Sequence, residues 1–313
     1  MPTKLAVQFR SSRNTSCAFE RLKTCKKCGA YSVLFDDRCK ECGATGKFIP
    51  VARYIASLNR VLPMAEAFGA VALVALAVVL ANDWMQIAAA GIGGAAFLAL
   101  LFLLRKRYKP YADLYRFHEV LVDHTPAILK GLRADLQEAD GDMSANHPKE
   151  AYEKLREIGH LLNNESIKQR KIACLRRFYI RKDMELELDP LVPKKFDPEF
   201  VLYMRDAVKV NRQLVRHSAL DYVVAFRPQI EAMEGGREFL VSMAGSALRM
   251  KKYVQMYPRF IIDYLDELPK ERFHRLCKLL ADTPVQQRNE LYAKCKETAQ
   301  TRYASDPDFQ GMF

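Results

Sequence analysis

Between Val61 and Leu104 the chain has no lysine or arginine, and its only acids there are Glu66 and Asp83. The whole-chain averages hide this gap. Mean hydropathy is -0.18, and 49 Lys+Arg against 37 Asp+Glu give a net charge of +12. Glycine and proline number only 14 each in 313 residues, which excludes collagen-like and Gly/Pro low-complexity architecture. Half the residues are hydrophobic, which excludes a disordered chain. The first 60 residues hold no early apolar segment, so no cleavable signal peptide is expected. Catalytic patterns are also missing. There is no phosphate-binding glycine loop, no HExxH and no GxSxG, and the six histidines are scattered. The sequence therefore gives no reason to expect an enzyme.

The uncharged block contains two apolar runs. Ala67–Ala81 extends backwards to Val61, with Pro63 in the first turn, where its missing N–H costs nothing. Met85–Leu104 is long enough alone for the roughly 20 residues that cross a bilayer. Asn82-Asp83-Trp84 joins them as a turn, and tryptophan suits a membrane interface. A two-helix transmembrane hairpin over 61–104 follows, with helices at about 61–81 and 85–104. Residues 1–60 carry 12 Lys/Arg, and Arg105, Lys106, Arg107 and Lys109 follow the second run. Cationic flanks around an uncharged turn put both termini in the cytoplasm. The expected location is a bacterial inner membrane. In the second helix, Ala89/Gly93, Ala90/Gly94 and Gly91/Ala95 are spaced for close backbone approach in lipid, either within one hairpin or between copies.

Eight cysteines occur, and four of them form Cys25-Lys-Lys-Cys28-Gly29 and Cys39-Lys-Glu-Cys42-Gly43. Two thiolates three residues apart can grip one metal ion from a tight turn. The glycine that follows can adopt the left-handed backbone that aims N–H groups at the sulfurs. Between the pairs, Ala30–Arg38 reads as a short β-prone run ending in an Asp-Asp turn, enough for a hairpin. Residues 22–49 resemble the zinc-ribbon superfamily in its double CxxCG form. That resemblance implies Cys25, Cys28, Cys39 and Cys42 as the four ligands of a structural zinc. Iron is disfavoured because rubredoxin-like second knuckles usually read Cys-Pro-x-Cys. Cys17 reads as a spare thiol, and Cys174, Cys277 and Cys295 as packing residues.

Residues 105–313 are glycine-poor and repeat apolar residues at three and four, which predicts an all-α cytoplasmic domain. A helix is expected over Tyr111–Ala139, with Leu114, Phe117, Leu121, Ile128, Leu132 and Leu136 on one face. Another is expected from Pro148 to about Asn163. A long basic helix follows over Glu165–Leu188, and further helices near 197–225, 228–256, 258–267, 269–281 and 284–299. Lys168, Arg170, Lys171, Arg176, Arg177, Arg181 and Lys182 crowd one stretch of the basic helix. They read either as an anionic-lipid contact, together with Arg105, Lys106, Arg107 and Lys109, or as partners for acidic groups on neighbouring helices.

The expected organisation is a basic segment (1–21), a zinc ribbon (22–49), a linker (50–60), the hairpin (61–104) and the helical domain (105–313). The expected class is a mainly α membrane protein. The expected role is a self-associating scaffold, assembly or regulatory component facing the cytoplasm, with the bilayer, a second copy and a protein as partners. Nucleic acid is not expected, because positive-inside topology already accounts for the basic flanks. The rival reading is a small oligomeric channel gated by the cytoplasmic helices.

Overall fold

The computed structural model describes residues 4–58, 61–81, 83–282, 289–310 and 312. Those residues are mostly helical, with one small sheet. They form two compact units, one of residues 13–141 and the other of residues 1–12 with 142–313. This division differs from the expected one. The first 12 residues belong with the C-terminal helices, and residues 105–141 belong with the cysteine-rich segment.

The first unit opens with three strands, β1 (Lys23–Cys25), β2 (Tyr31–Ser32) and β3 (Phe48–Pro50), in the antiparallel order β2-β1-β3. Thr24 faces Tyr31 on one side and Ile49 on the other. The sequence predicts only a hairpin here. The third strand closes the sheet after the second cysteine pair brings the chain back beside β1. The expected linker is also structured. Helix α1 (Val51–Leu58) buries Val51 and Ile55 against the sheet, and Val51 N–H donates to the Leu22 carbonyl at 3.0 Å.

Helices α2 (Val61–Val79) and α3 (Trp84–Asp123) follow, and Asp83 caps α3 by accepting from the Trp84 N–H at 2.7 Å. The two run antiparallel, since Arg105 pairs with Glu66 at 2.6 Å and Gly94 lies against Val74. Trp84–Asp123 is long and apolar enough to cross a membrane by length and composition, while the apolar Ala65–Val79 stretch of α2 is shorter. None of α3 is buried within the protein.

The expected break between a second membrane helix and a helix from Tyr111 is absent. Pro110 lies inside α3, which runs unbroken through the cationic segment to Asp123. The break falls instead at His124, and α4 (Thr125–Ser144) then continues through Asp140-Gly141-Asp142, where an end was expected. Pro126 sits in the first turn of α4, the one place where proline is favourable. Of the expected apolar face, Ile128 and Leu132 are buried, whereas Leu114 is exposed.

The second unit packs short helices: α5 (Pro148–Gly159), α6 (Glu165–Leu175), α7 (Pro198–Val210), α8 (His217–Ala225), α9 (Arg227–Glu231), α10 (Gly236–Ala247), α11 (Lys251–Met256), α12 (Pro258–Asp263), α13 (Lys270–Ala281) and α14 (Glu290–Arg302). Its core includes Tyr152, Leu155, Leu175, Phe200, Leu240, Ile261, Leu276 and Cys295. Gly235, at φ +67°, turns the chain into α10, and a Cβ on Gly236 would meet the Ile230 carbonyl oxygen at 1.8 Å. The long basic helix expected to reach Leu188 stops at Leu175. Beyond it the Arg177 carbonyl accepts from Leu5 N–H at 2.8 Å and Tyr179 N–H donates to the Leu5 carbonyl at 2.9 Å, in place of helical bonds. Part of the helix expected over 284–299 lies outside the described residues.

Candidate metal centre

The two cysteine pairs fold identically. Gly29 N–H donates to the Cys25 carbonyl at 2.8 Å, and Cys25 N–H to the Ala30 carbonyl at 2.8 Å. In the second pair Gly43 donates to Cys39 and Cys39 to Ala44, both again at 2.8 Å. Gly29 and Gly43 take φ values of +74° and +68°, the left-handed region that glycine enters without a Cβ penalty. This is why glycine must follow each second cysteine.

The turns bring four sulfurs together, all within 4.8 Å of one another. The Cys25–Cys42 and Cys28–Cys39 Sγ separations are 3.7 and 3.5 Å. A tetrahedral ion with bonds of about 2.3 Å to thiolate places its sulfurs roughly 3.8 Å apart, so the cluster fits one such ion. Burial works against the Cys25 thiolate, but the backbone N–H groups of Cys28 and Lys27 and the neighbouring sulfurs outweigh it and lower that thiol to about 7. Four sulfurs would fill the coordination shell, so the centre has a structural chemistry with no position for a substrate. The cluster is consistent with a zinc-ribbon-like knuckle, and it is the one metal-capable group among the described residues.

The knuckles are seated on α4, by residues that periodicity alone does not single out. Val33 N–H donates to Asp135 Oδ2 at 2.8 Å, and the Ser32 hydroxyl to Asp135 Oδ1 at 2.9 Å. Asp135 is only 2% exposed, and burial pushes its carboxyl upward despite those donors. Tyr31 Oη lies 2.7 Å from His124 Nδ1, beside the break between α3 and α4. Lys40 pairs with Glu138, and Lys130 with Glu41 at 2.6 Å. A Cβ on Gly131 would sit 2.1 Å from the Tyr31 carbonyl oxygen. His124, Gly131, Asp135 and Glu138 thus share one face of the helix, at spacings near multiples of 3.6. A cavity of about 250 Å³ remains between knuckles and helix, bordered by Cys28, Arg38, Lys40, Lys130 and Asp135.

The other candidate residues lie elsewhere. On α3, Ala90 and Gly94 are half-buried, on the side where Gly94 meets Val74 of α2, while Ala89, Gly91, Gly93 and Ala95 are exposed. Arg105 pairs with Glu66, and Lys106, Arg107 and Lys109 are exposed. The cations between 168 and 182 do not share one helix face. Lys168 pairs with Glu165 at 3.0 Å, and Arg176 with Glu199 at 3.0 Å and Asp206 at 3.5 Å. Arg181 pairs with Asp183 at 2.9 Å, Lys171 is buried against Glu187, and Arg177 bonds to Asn146. Arg170 is half-buried and Lys182 exposed. Cys174, Cys277 and Cys295 are buried and belong to no metal-type cluster among the described residues, and burial pushes Cys174 and Cys277 up to about 12. Cys17 is exposed.

The chain matches no family model, no curated protein and no solved structure. What it does must therefore be argued from the centre itself.

Proposed function

We propose that this protein is a membrane-anchored, cytoplasm-facing scaffold in which a zinc-filled knuckle braces the helix that leaves the bilayer. One observation carries the reading. The helix with the long apolar run, α3, has no fully buried residue, yet it belongs to the same compact unit as the four-sulfur cluster. On α3, Ile92 is 75% and Phe102 68% exposed, and on α2 Phe68 is 71% exposed. Apolar side chains facing outward around both helices suit lipid rather than water.

Geometry adds two supports. The Glu66–Arg105 pair ties the first turns of α2 to the end of the apolar part of α3, as a hairpin whose ends reach one membrane face requires. At 1.5 Å per residue, the 40 residues of α3 measure about 60 Å, twice a hydrocarbon core of about 30 Å. The second half then projects past the headgroups, starting at Arg105, Lys106, Arg107 and Lys109. These cations assign that side to the cytoplasm. Zinc is favoured over iron by the Cys-Lys-Glu-Cys second knuckle. Fractionation tests the anchor: the protein should pellet with membranes and resist alkaline extraction, and recovery in the soluble fraction would overturn it. A cysteine placed at Gln300 should resist an impermeant thiol reagent added outside intact cells.

The small residues of α3 make a second testable point. Gly94 turns toward Val74, and a Cβ there would approach Val74 Cγ1 to 2.4 Å, whereas Gly91 and Gly93 have nothing within 4 Å. Gly94→Leu should therefore open the hairpin and lower the melting temperature in detergent, with oligomer mass unchanged. Self-association falls instead to the outward glycines, and Gly93→Leu should reduce the mass seen by light scattering. An unchanged mass for Gly93→Leu would remove self-association from the reading.

A further inference from the structure

Residues 4–12, outside any helix or sheet, lie as a strap within the second unit and are held there by a series of specific bonds. Leu5 N–H donates to the Arg177 carbonyl at 2.8 Å and the Leu5 carbonyl accepts from Tyr179 N–H at 2.9 Å, a parallel bridge between positions far apart in sequence. Arg181 Nη2 donates to the Val7 carbonyl at 3.2 Å. Further along, Arg10 N–H donates to Glu153 at 2.8 Å, and the Arg10 carbonyl accepts from Arg156 Nη2 at 2.5 Å. Glu185 accepts from the Ser11 hydroxyl at 2.9 Å and from Ser12 N–H at 3.0 Å. At the front, the Lys4 ammonium meets Asp206 at 2.8 Å.

Most of these bonds engage strap backbone rather than strap side chains. Leu5 itself is 42% exposed, so its side chain is no anchor. The anchor is Phe9, whose ring lies 4.7 Å from that of Tyr152 and 5.5 Å from that of Phe178, both fully buried. The receiving surface meets the strap with three carboxylates, Glu153, Glu185 and Asp206, and with two guanidinium groups, Arg156 and Arg181, that take strap carbonyls; Asp206 is shared between Lys4 and Arg176. Beneath the strap, Arg156 is 1% exposed and uses the Arg10 carbonyl as a partner. Backbone bonds to an extended segment, here through one parallel bridge outside any sheet, together with one aromatic side chain set against buried rings, are elements with which proteins recognise extended peptides.

We propose that this surface is a peptide-binding groove for an extended, basic segment with one aromatic anchor, and that residues 4–12 are its resident and displaceable ligand. Backbone recognition makes the groove tolerant of sequence outside the anchor and the cationic front. The occupant in trans is the same segment from a second copy. A copy held alongside in the same membrane offers its strap at high local concentration, and exchange of straps between two copies closes symmetrically. The groove itself involves no feature of the metal centre or the apolar helices, whereas its filling by a second copy rests on the anchored, self-associating reading.

The test uses the full chain in detergent and a fluorescent synthetic peptide of residues 1–14. Phe9→Ala in the protein removes the anchor of the resident strap and opens the groove. The peptide should bind this variant saturably and at least tenfold more tightly than it binds the native chain, where the tethered strap competes. A Leu5→Pro peptide, which lacks the N–H donated to Arg177, should bind at least tenfold more weakly than the native peptide. That arm leaves the protein untouched. Asp206→Asn in the Phe9→Ala background should weaken binding and flatten its dependence on salt. Should Phe9→Ala fail to give a cooperative melt, Leu5→Pro in the protein opens the groove without emptying the core. Equal binding to native and opened chains, equal binding of native and Leu5→Pro peptides, or no binding to a folded opened chain would each overturn the groove. Bound peptide with no mixed dimer between differently tagged Phe9→Ala and native chains would overturn exchange between copies.

Discussion

Replacing Cys28 with serine should cost the protein its metal and the fold of its knuckles, although Cys28 is exposed and contributes little packing. A packing role predicts the opposite ranking, with buried Cys39 sensitive and Cys28 silent. Coordination makes the two equal, because each supplies one of four sulfurs within 4.8 Å of one another. Structural zinc binding is folding free energy, on the order of 10 kcal/mol, so the loss should far exceed that of an ordinary core substitution. Elemental analysis should read about one zinc per native chain and close to none in Cys28→Ser or Cys39→Ser. A chelator should reproduce the effect in the native chain. The second unit should keep its melting transition, since its core of Leu155, Phe200, Leu240 and Leu276 belongs to the separate body. On the proposed anchored reading, the apolar helices should also stay in the membrane fraction, since lipid rather than zinc would satisfy that part of the fold. A Cys28→Ser protein that retains stoichiometric metal would end the assignment.

The second large effect is expected at Asp135, on the helix rather than on the ribbon. Asp135→Ala would leave Val33 N–H without its partner in a buried setting and deprive Ser32 of both carboxylate oxygens. An orphaned buried donor costs about 1–3 kcal/mol, and two together suggest a loss of roughly 3 kcal/mol. Asp135→Asn keeps one acceptor oxygen for Val33 and should cost clearly less. Gly131→Val should be at least as harmful as the alanine change, because its Cβ would press on the Tyr31 backbone oxygen, which cannot move without distorting β2. Denaturant melts of the first unit check the ranking. The rate at which a chelator strips the metal gives a second readout, since an unseated ribbon should surrender its ion faster. If Asp135→Ala and Asp135→Asn melt alike and release metal alike, the carboxylate does not hold the ribbon on α4.

Part of this protein is legible in its residues, and the reason is that the relevant physics is local. A Cys-x-x-Cys-Gly unit specifies its own turn within five residues, so its duplication is enough to announce a four-sulfur cluster. Long apolar runs are equally local signals, because they depend on composition and not on what the chain meets. Helix starts are local as well: Asn164 and Asp197 cap α6 and α7 by accepting from N–H groups of the first turn. The interior breaks are not legible. No proline or glycine in Arg176–Leu188 forbids a helix, yet it ends where Leu5, far away in sequence, takes the Arg177 carbonyl and the Tyr179 N–H. The same holds for α1, which reads as linker until Val51 and Ile55 find the sheet. A buried carboxylate on an amphipathic helix looks like an ordinary polar position until the loop that needs it arrives. Gly131 looks like a weak spot until the backbone of Tyr31 comes to fill its missing side chain. The sulfur cluster, the apolar helices and the helical character of the rest follow from the order of residues, because each rests on neighbours along the chain. Long-range packing had to place the ribbon on α4, join the N-terminus to the C-terminal body, and turn Gly94 toward Val74. Those outcomes depend on contacts between distant segments, and local propensity carries no information about which distant segment will arrive.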